Sequence, residues 1–121
     1  MTRGVRGCGP CAGILVDFEP PGMPDETEIL CAISDEQLPS EYIPALEQGI
    51  REGLGGVAAA VLVTNSTFHE MDSSEWGYRI AGREAGRAAL IAAGLLPEAE
   101  ATTLRWTTWP GRKRPRRKPK A

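Results

Sequence analysis

Several residue types are scarce in this chain, and each absence excludes a class of protein. The 121 residues contain three cysteines, an odd number that does not make a disulfide framework. No run approaches the roughly 18–20 apolar residues that cross a bilayer, and no apolar signal segment follows Met1. We therefore expect one reduced, cytoplasmic domain with no membrane partner.

Lysine is absent before residue 113, and this absence bears on catalysis. The phosphate-loop pattern G-x-x-x-x-G-K-[ST] does not occur, so nucleotide hydrolysis by this chain is not expected. Asp72, Ser73 and His69 suggest a catalytic triad only superficially, because no nucleophile elbow accompanies them and helix capping explains Asp72. We expect no enzymatic activity, no catalytic residue and no cofactor.

Acidic residues are absent after Glu100, which gives the chain two oppositely charged parts. Residues 1–111 carry seven basic and 16 acidic residues, a net charge of −9, whereas the last ten residues carry seven basic ones. Self-repulsion predicts a disordered tail over residues 110–121 behind a domain of residues 1–109, and a merely solubilising terminus is the alternative. An extended basic tail can follow phosphates, so the expected RNA contacts there are Arg112, Lys113, Arg114, Arg116, Arg117, Lys118 and Lys120.

Apolar patterning predicts a two-layer α+β (α/β) sandwich with the element order β-β-α-β-α and both helices on one face of the sheet. Residues 1–11 are interpreted as a glycine-rich loop, and residues 65–67 as a turn. The strands are expected at residues 14–18, 28–33 and 58–64, with a further candidate at 102–109.

Two helices are predicted from capping residues and apolar spacing. The first is expected to begin at a Ser40 cap, to bury Ile43, Leu46, Ile50 and Leu54, and to stop at the following glycines. The second is expected to follow a capping box made by Asp72 and Glu75 and to end at Gly94. Small residues on one side of this helix would let it lie close to the sheet.

The stretch from Glu41 to Leu96 resembles domain IV of elongation factor G, and the resemblance continues upstream at residues 13–20. Residues 64–82, TNSTFHEMDSSEWGYRIAG, are similar to the family's DGSYHEVDSSEMAFKIAG, and residues 13–20, GILVDFEP, are similar to its first strand and FEP turn. The resemblance spans roughly residues 3–97. It implies the fold of that domain and a ribosome-binding function in translation elongation. The GTPase of the full factor is expected to be absent, so that a separate partner would have to supply one.

The resemblance also implies which residues contact RNA. In the family, the loop that corresponds to residues 64–70 forms the tip of the domain, and the position of His69 contacts the decoding region and tRNA. Arg6 corresponds to a neighbouring tip loop and is expected to contact phosphate. The ribosome, through rRNA of the decoding region, is the expected partner, and the site predicted for the folded domain is Arg6, Thr64, Asn65, Ser66, Thr67 and His69.

Three alternatives remain open from the sequence. The chain could be a decayed remnant of a translational GTPase that binds nucleic acid only nonspecifically. It could be a thiol oxidoreductase, because Cys8-Gly9-Pro10-Cys11 is the tetrad of thioredoxins, although a strand rather than a helix follows it. The same cysteine pair is half of a zinc site, and no metal is expected.

Trp106 and Trp109 either stack on bases or pack on the sheet.

Overall fold

The computed structural model describes residues 2–9, 12–22, 26–68, 74–104 and 106–112, and within them four strands and two helices form one sheet and one helical layer. The strands are β1 (Thr2–Gly9), β2 (Ala12–Glu19), β3 (Glu28–Cys31) and β4 (Ala60–Phe68). The helices are α1 (Ile43–Leu54) and α2 (Glu75–Ala92), and two 3₁₀ helices cover Ser40–Tyr42 and Glu98–Thr103. Within this part of the chain, no helix combines the length and the apolar character needed to cross a bilayer.

The sheet has the strand order β1-β2-β4-β3. β2 pairs antiparallel with β1 and with β4, while β3 pairs parallel with β4, and α1 connects these two parallel strands. Side chains alternate in burial along β2, because successive residues of a strand point to opposite faces. Ile14, Val16 and Phe18 therefore enter the core beneath the helices. This arrangement confirms the predicted two-layer sandwich.

The first strand, β1, corrects the prediction of a glycine-rich loop over residues 1–11. Its glycines are required by packing, since α2 lies almost on the backbone of β1. A Cβ added to Gly7 would overlap the carbonyl oxygen of Ala81, and one added to Gly9 would overlap that of Gly77. The element order is therefore β-β-β-α-β-α, with one strand more than predicted.

The strand β4 continues beyond the predicted end at residue 64. The prediction of a turn at Asn65–Thr67 is wrong, because β2 extends back to Ala12 and supplies pairing partners as far as Phe68. Tertiary pairing here outweighs the local turn preference of these residues. The register shifts between Leu15 and Val16, which leaves Thr64 as the extra residue of a β-bulge.

The helix α1 buries three of the four predicted residues, Leu46, Ile50 and Leu54, while Ile43 is half-buried against the core. The helix ends at Gly55, whose φ of 58° is left-handed. The predicted cap at Ser40 is wrong. Ser40 opens the short 3₁₀ helix that precedes α1, and Tyr42 occupies the N-cap position of α1.

The helix α2 is capped by Ser74, whose hydroxyl accepts a hydrogen bond from the backbone N–H of Gly77 at 3.1 Å. The predicted cap residue, Asp72, lies outside the described residues. The helix ends at Ala92, and Gly94 follows with a positive φ of 75°, as expected for a helix-terminating glycine.

The segment after α2 does not form the predicted strand over residues 102–109. A 3₁₀ helix covers its first residues. Among the described residues its contact with the sheet is one antiparallel bridge, in which the N–H of Arg6 donates to Thr108 O at 2.8 Å and the N–H of Thr108 donates to Arg6 O at 3.0 Å. Leu104, Thr107 and Trp109 are buried, so this segment closes the outer edge of β1 by packing more than by pairing.

Candidate nucleic-acid interface

The sheet face opposite the helices, called the open face below, brings predicted site residues from distant segments together. Arg6 of β1 pairs with Leu15 of β2, and Leu15 pairs with Asn65 of β4. These three residues form a row across three strands. The next row toward the ends of the strands is formed by Cys8, Gly13 and Thr67.

A concavity of about 110 Å³ lies between these two rows. This volume is well below the roughly 300 Å³ at which pockets for small molecules begin. The concavity suits one phosphate or one ribose hydroxyl rather than a bound cofactor. Gly13 forms part of its wall without a side chain, which leaves the backbone accessible.

Asn65 is held in a defined orientation on the open face. Its Oδ1 accepts a hydrogen bond from Gln37 Nε2 at 2.9 Å and another from the backbone N–H of Ser66 at 2.8 Å. Both Asn65 and Thr67 are exposed, as is Arg6 at the other side of the concavity. Three residues of the predicted site therefore present polar side chains to the same exposed surface.

Two further residues of the predicted site form hydrogen bonds within the folded body. Ser66 is buried on the helix side, where its hydroxyl donates to Tyr78 Oη at 3.4 Å. The Tyr78 hydroxyl in turn donates to the carbonyl oxygen of Thr67 at 2.9 Å. At the bulge, the Thr64 hydroxyl donates to Leu15 O at 3.2 Å. Ser66 and Thr64 thus stabilise the end of β4.

Three strand termini lie side by side at one end of the molecule, called the tip end below, to which the described residues 64–68 of the predicted tip loop lead. Gly9 pairs with Ala12, and Ala12 pairs with Phe68, so the ends of β1 and β4 and the start of β2 lie side by side. The first turn of α2 lies above them, because Gly9 contacts the backbone of Gly77. His69 follows Phe68 directly and lies outside the described residues.

Arg112, predicted to belong to the basic tail, is packed against the folded body. Its guanidinium donates to the carbonyl oxygens of Ala101 at 3.0 Å, of Leu104 at 2.6 Å and of Thr107. It also lies 4.6 Å from the centroid of the Trp109 ring, a cation–π contact. The other predicted tail contacts, Lys113, Arg114, Arg116, Arg117, Lys118 and Lys120, lie outside the described residues.

The two tryptophans near the tail differ in environment. Trp109 is only 8% exposed, so it packs in the body as the packing interpretation predicted. Trp106 is 76% exposed and keeps most of its ring accessible.

The surroundings of Cys8 do not favour thiol chemistry. Cys8 lies in β1 rather than at a helix N-terminus, and burial raises the pKa of its thiol, an effect that nearby Arg6 only partly offsets. A raised pKa lowers the fraction of reactive thiolate. Cys11 lies outside the described residues. Among the described residues, no three Cys, His, Asp or Glu side chains lie together as a metal site requires.

Sequence reasoning missed Gly13 and Leu15 as parts of this surface. The signal was present in the alternation of β2, since Ile14, Val16 and Phe18 are the core residues and the residues between them must face the other way.

Comparisons with known proteins identify the domain. The family model for elongation factor G, domain IV, matches residues 5–94. Elongation factor G from Fervidobacterium nodosum is 33% identical over 94 residues, which cover 69% of this chain and 13% of that protein. A crystal structure of a Thermus thermophilus protein matches with a TM-score of 0.54 and 26% identity, over 70% of this chain and 15% of that one. This chain thus spans a small part of the length of these relatives, and it belongs to the elongation factor G domain IV family.

Proposed function

We propose that this domain is a translation-elongation module that binds the ribosome through rRNA, without hydrolysing nucleotide itself. The observation that carries the proposal is the meeting of Arg6, Asn65 and Thr67 on one open face that runs to the tip end. Family membership supports a role in elongation, since the matched relative is named elongation factor G.

The exposed side chains suit contacts with an RNA backbone. The Arg6 guanidinium supplies charged donors for a phosphate, and the Thr67 hydroxyl and Asn65 carboxamide supply neutral donors for phosphate or ribose oxygens. His69, which the family resemblance places in the decoding region, adds an imidazole that can donate to phosphate or stack on a base. No step of this recognition requires a metal or a cofactor.

The charge distribution assigns a separate task to the basic C-terminal residues. Residues 1–111 carry a net charge of −9 and repel RNA at long range, so residues 113–120 must provide most of the attraction. If about five of them met phosphates, affinity would fall several hundredfold between about 50 and 200 mM salt. The open face would then fix the position of the domain on the RNA and contribute the smaller part of the affinity.

Co-sedimentation with 70S ribosomes and isolated subunits across a salt series tests this proposal. We expect saturable binding of wild type, weakened several-fold at every salt concentration by Arg6→Gln and by His69→Ala. A chain ending at Arg112 should lose most of the salt dependence while keeping its folded body, because Arg112 remains to hold the last segment. Arg51→Gln is the matched control, since Arg51 is exposed near Thr27 at the end of the molecule opposite the tip end.

A different result would favour the remnant interpretation. If binding disappears with residues 113–121 and is indifferent to Arg6→Gln and His69→Ala, only a nonspecific basic tail acts on RNA. The proposal would then be wrong even though the fold belongs to the family.

A further inference from the structure

The helix α2 exposes a tryptophan beside two arginines, outside the open face. Trp76 is 62% exposed although a tryptophan side chain has a large apolar surface. Arg79 and Arg83 follow it at spacings that place all three residues on one side of the helix. Together with Ile80 they line an indentation of about 130 Å³, called the Trp76 surface below.

The two arginines of the Trp76 surface are held differently. Arg79 pairs with Glu52 of α1 through two parallel hydrogen bonds, from Nε at 2.6 Å and from Nη2 at 2.9 Å. This pairing fixes the guanidinium plane and neutralises the nearest carboxylate. Arg83 is exposed and forms no hydrogen bond or salt bridge with another described residue. Its charge acts on the carboxylates of Glu52 and Glu84, but its donors are bonded to neither and are therefore available to a ligand.

The position of Trp76 within α2 links this surface to the tip end. Trp76 lies in the first turn of α2, close to the Ser74 cap and to Gly77, which contacts Gly9. A nucleic-acid strand that passes the tip end can therefore reach both the open face and the Trp76 surface. Close packing of α1 against the backbone of Arg79 and Arg83 keeps this surface in a fixed position.

We propose that the Trp76 surface is a second RNA contact, at which an unpaired base stacks on Trp76 and the adjoining phosphate binds Arg83. An exposed aromatic ring beside a guanidinium is the combination that binds single strands without reading their sequence. A nucleotide carries a stacking base and a phosphate in one unit, whereas an acidic peptide would need a separate apolar residue to cover the indole, so RNA is the better match. This inference rests on the proposed function, which brings RNA to the tip end.

Fluorescence titration of the full chain with a single-stranded RNA decamer, and with the same decamer in a duplex, tests the stacking. In a Trp106→Phe background, which removes the other exposed indole, stacking on Trp76 should quench the emission with the single strand and not with the duplex. Trp76→Leu should weaken binding about tenfold at unchanged salt dependence, whereas Trp76→Phe should retain most of the affinity. Arg83→Gln should weaken binding several-fold and reduce the salt slope by about 0.7, the contribution of one phosphate contact on a single strand.

Matched controls come from similar residues elsewhere in the chain. Leu95→Ala removes an apolar side chain that is 55% exposed at the opposite end of α2, and Arg51→Gln removes an exposed guanidinium from α1. Both should bind the decamer as wild type does. Thermal unfolding of each variant checks that the fold is intact, which is expected because the substituted side chains are exposed.

Ribosome co-sedimentation of the same variants separates this inference from the proposed function. If wild type binds ribosomes saturably and the Trp76 and Arg83 variants bind both ribosomes and decamer equally well, the inference is overturned and the proposed function stands. If these variants lose ribosome affinity but not decamer affinity, the surface binds protein and the RNA inference is wrong. A third result is that Trp76→Leu loses decamer binding, but neither wild type nor any variant binds ribosomes saturably. The Trp76 surface is then supported and the proposed function fails.

Discussion

The two faces of the sheet differ in how much room they leave for side chains. On the helix side, Val5, Val16 and Phe18 are fully buried, and the backbone of β1 almost touches α2 at Gly7. On the open face, Arg6, Asn65 and Thr67 are exposed, and Leu30 is 65% exposed. The same strands supply both faces, so the residues of the helix side maintain the fold and those of the open face are free to serve binding.

The two helices also pack with their backbones in close contact, as α2 does against β1. A Cβ on Gly49 or Gly53 of α1 would overlap the carbonyl oxygen of Arg79 or Arg83 in α2. Gly82 and Gly86 of α2 approach the backbone of α1 in the same way. Backbones this close leave no space for a methyl group. Arg79 and Arg83 of α2 are consequently held in fixed positions beside α1.

The sharpest test of the difference between the faces is a pair of alanine substitutions in β1 and β2. Gly7→Ala should lower the free energy of unfolding by about 3 kcal/mol, because its methyl group meets Ala81 O and lies 2.9 Å from the Cβ of Ala85. Gly13→Ala should be neutral or stabilising, since its methyl group lies 3.7 Å from Thr67 Cβ, an ordinary contact. Urea unfolding measures both. Equal changes in the free energy of unfolding would contradict the idea that the helix side is more tightly packed than the open face.

A second test concerns the segment that closes the edge of β1. Arg112→Gln should lower the free energy of unfolding by about 2 kcal/mol, because three carbonyl oxygens and the Trp109 ring lose a charged partner. Arg51→Gln, which removes one long 3.5 Å hydrogen bond to Thr27 O, should have little effect. If the two substitutions were equivalent in thermal unfolding, Arg112 would not anchor the segment.

A third test separates the two serines at the helix starts. Ser74→Ala should cost about 1 kcal/mol of stability, because it removes the hydroxyl that accepts the N–H of Gly77. Ser40→Ala is the matched control, since Ser40 occupies the N-cap position of neither the 3₁₀ helix nor α1, and it should be nearly silent. Chemical denaturation of both variants gives the comparison, and the reverse order would place the effective cap at Ser40.

The smallest effect is expected at the exposed ion pair between the helices. The hydrogen bond from Arg79 lowers the pKa of Glu52 below its usual value. Glu52 therefore contributes stability above its unfolded pKa, and this contribution is lost as the pH falls through the lower folded pKa. The melting temperature of Glu52→Gln should lie slightly below that of wild type at pH 6, and the gap should close below about pH 4. A gap that widens in acid would contradict the pairing.

Elements with strong local patterns were predicted well. The apolar run from Ile14 to Phe18, bounded by Gly13 and Pro20, marked β2, and the spacing of Leu46, Ile50 and Leu54 marked the buried side of α1. These patterns arise from side chains that must enter a core, whichever neighbour provides it. β1 was missed for the opposite reason. Its glycines have no hydrophobic signal, and they are required by α2, which comes much later in the chain.

The candidate site was predicted in part. Resemblance indicated Arg6 and residues 64–70, yet it could not tell which of these side chains share a face. A single bulge at Thr64 decides that Asn65 and Thr67 face outward while Ser66 points to Tyr78. Charge alone assigned Arg112 to the tail, whereas its three carbonyl acceptors place it in the body. The Trp76 surface carried a readable signal, an aromatic residue and two arginines at helical spacing, which the sequence analysis did not use.

The sequence by itself determined the two helices, the core of β2, the acidic body with its basic terminus and membership of the elongation factor G domain IV family, because each depends on local spacing, composition or motif register. Only the tertiary structure decided that residues 2–9 form a strand, that β4 runs to Phe68, and that Arg6 lies in one row with Asn65. These features depend on strand register and on whether a Cβ fits between packed backbones. Both are properties of distant residues brought together, which no local pattern contains.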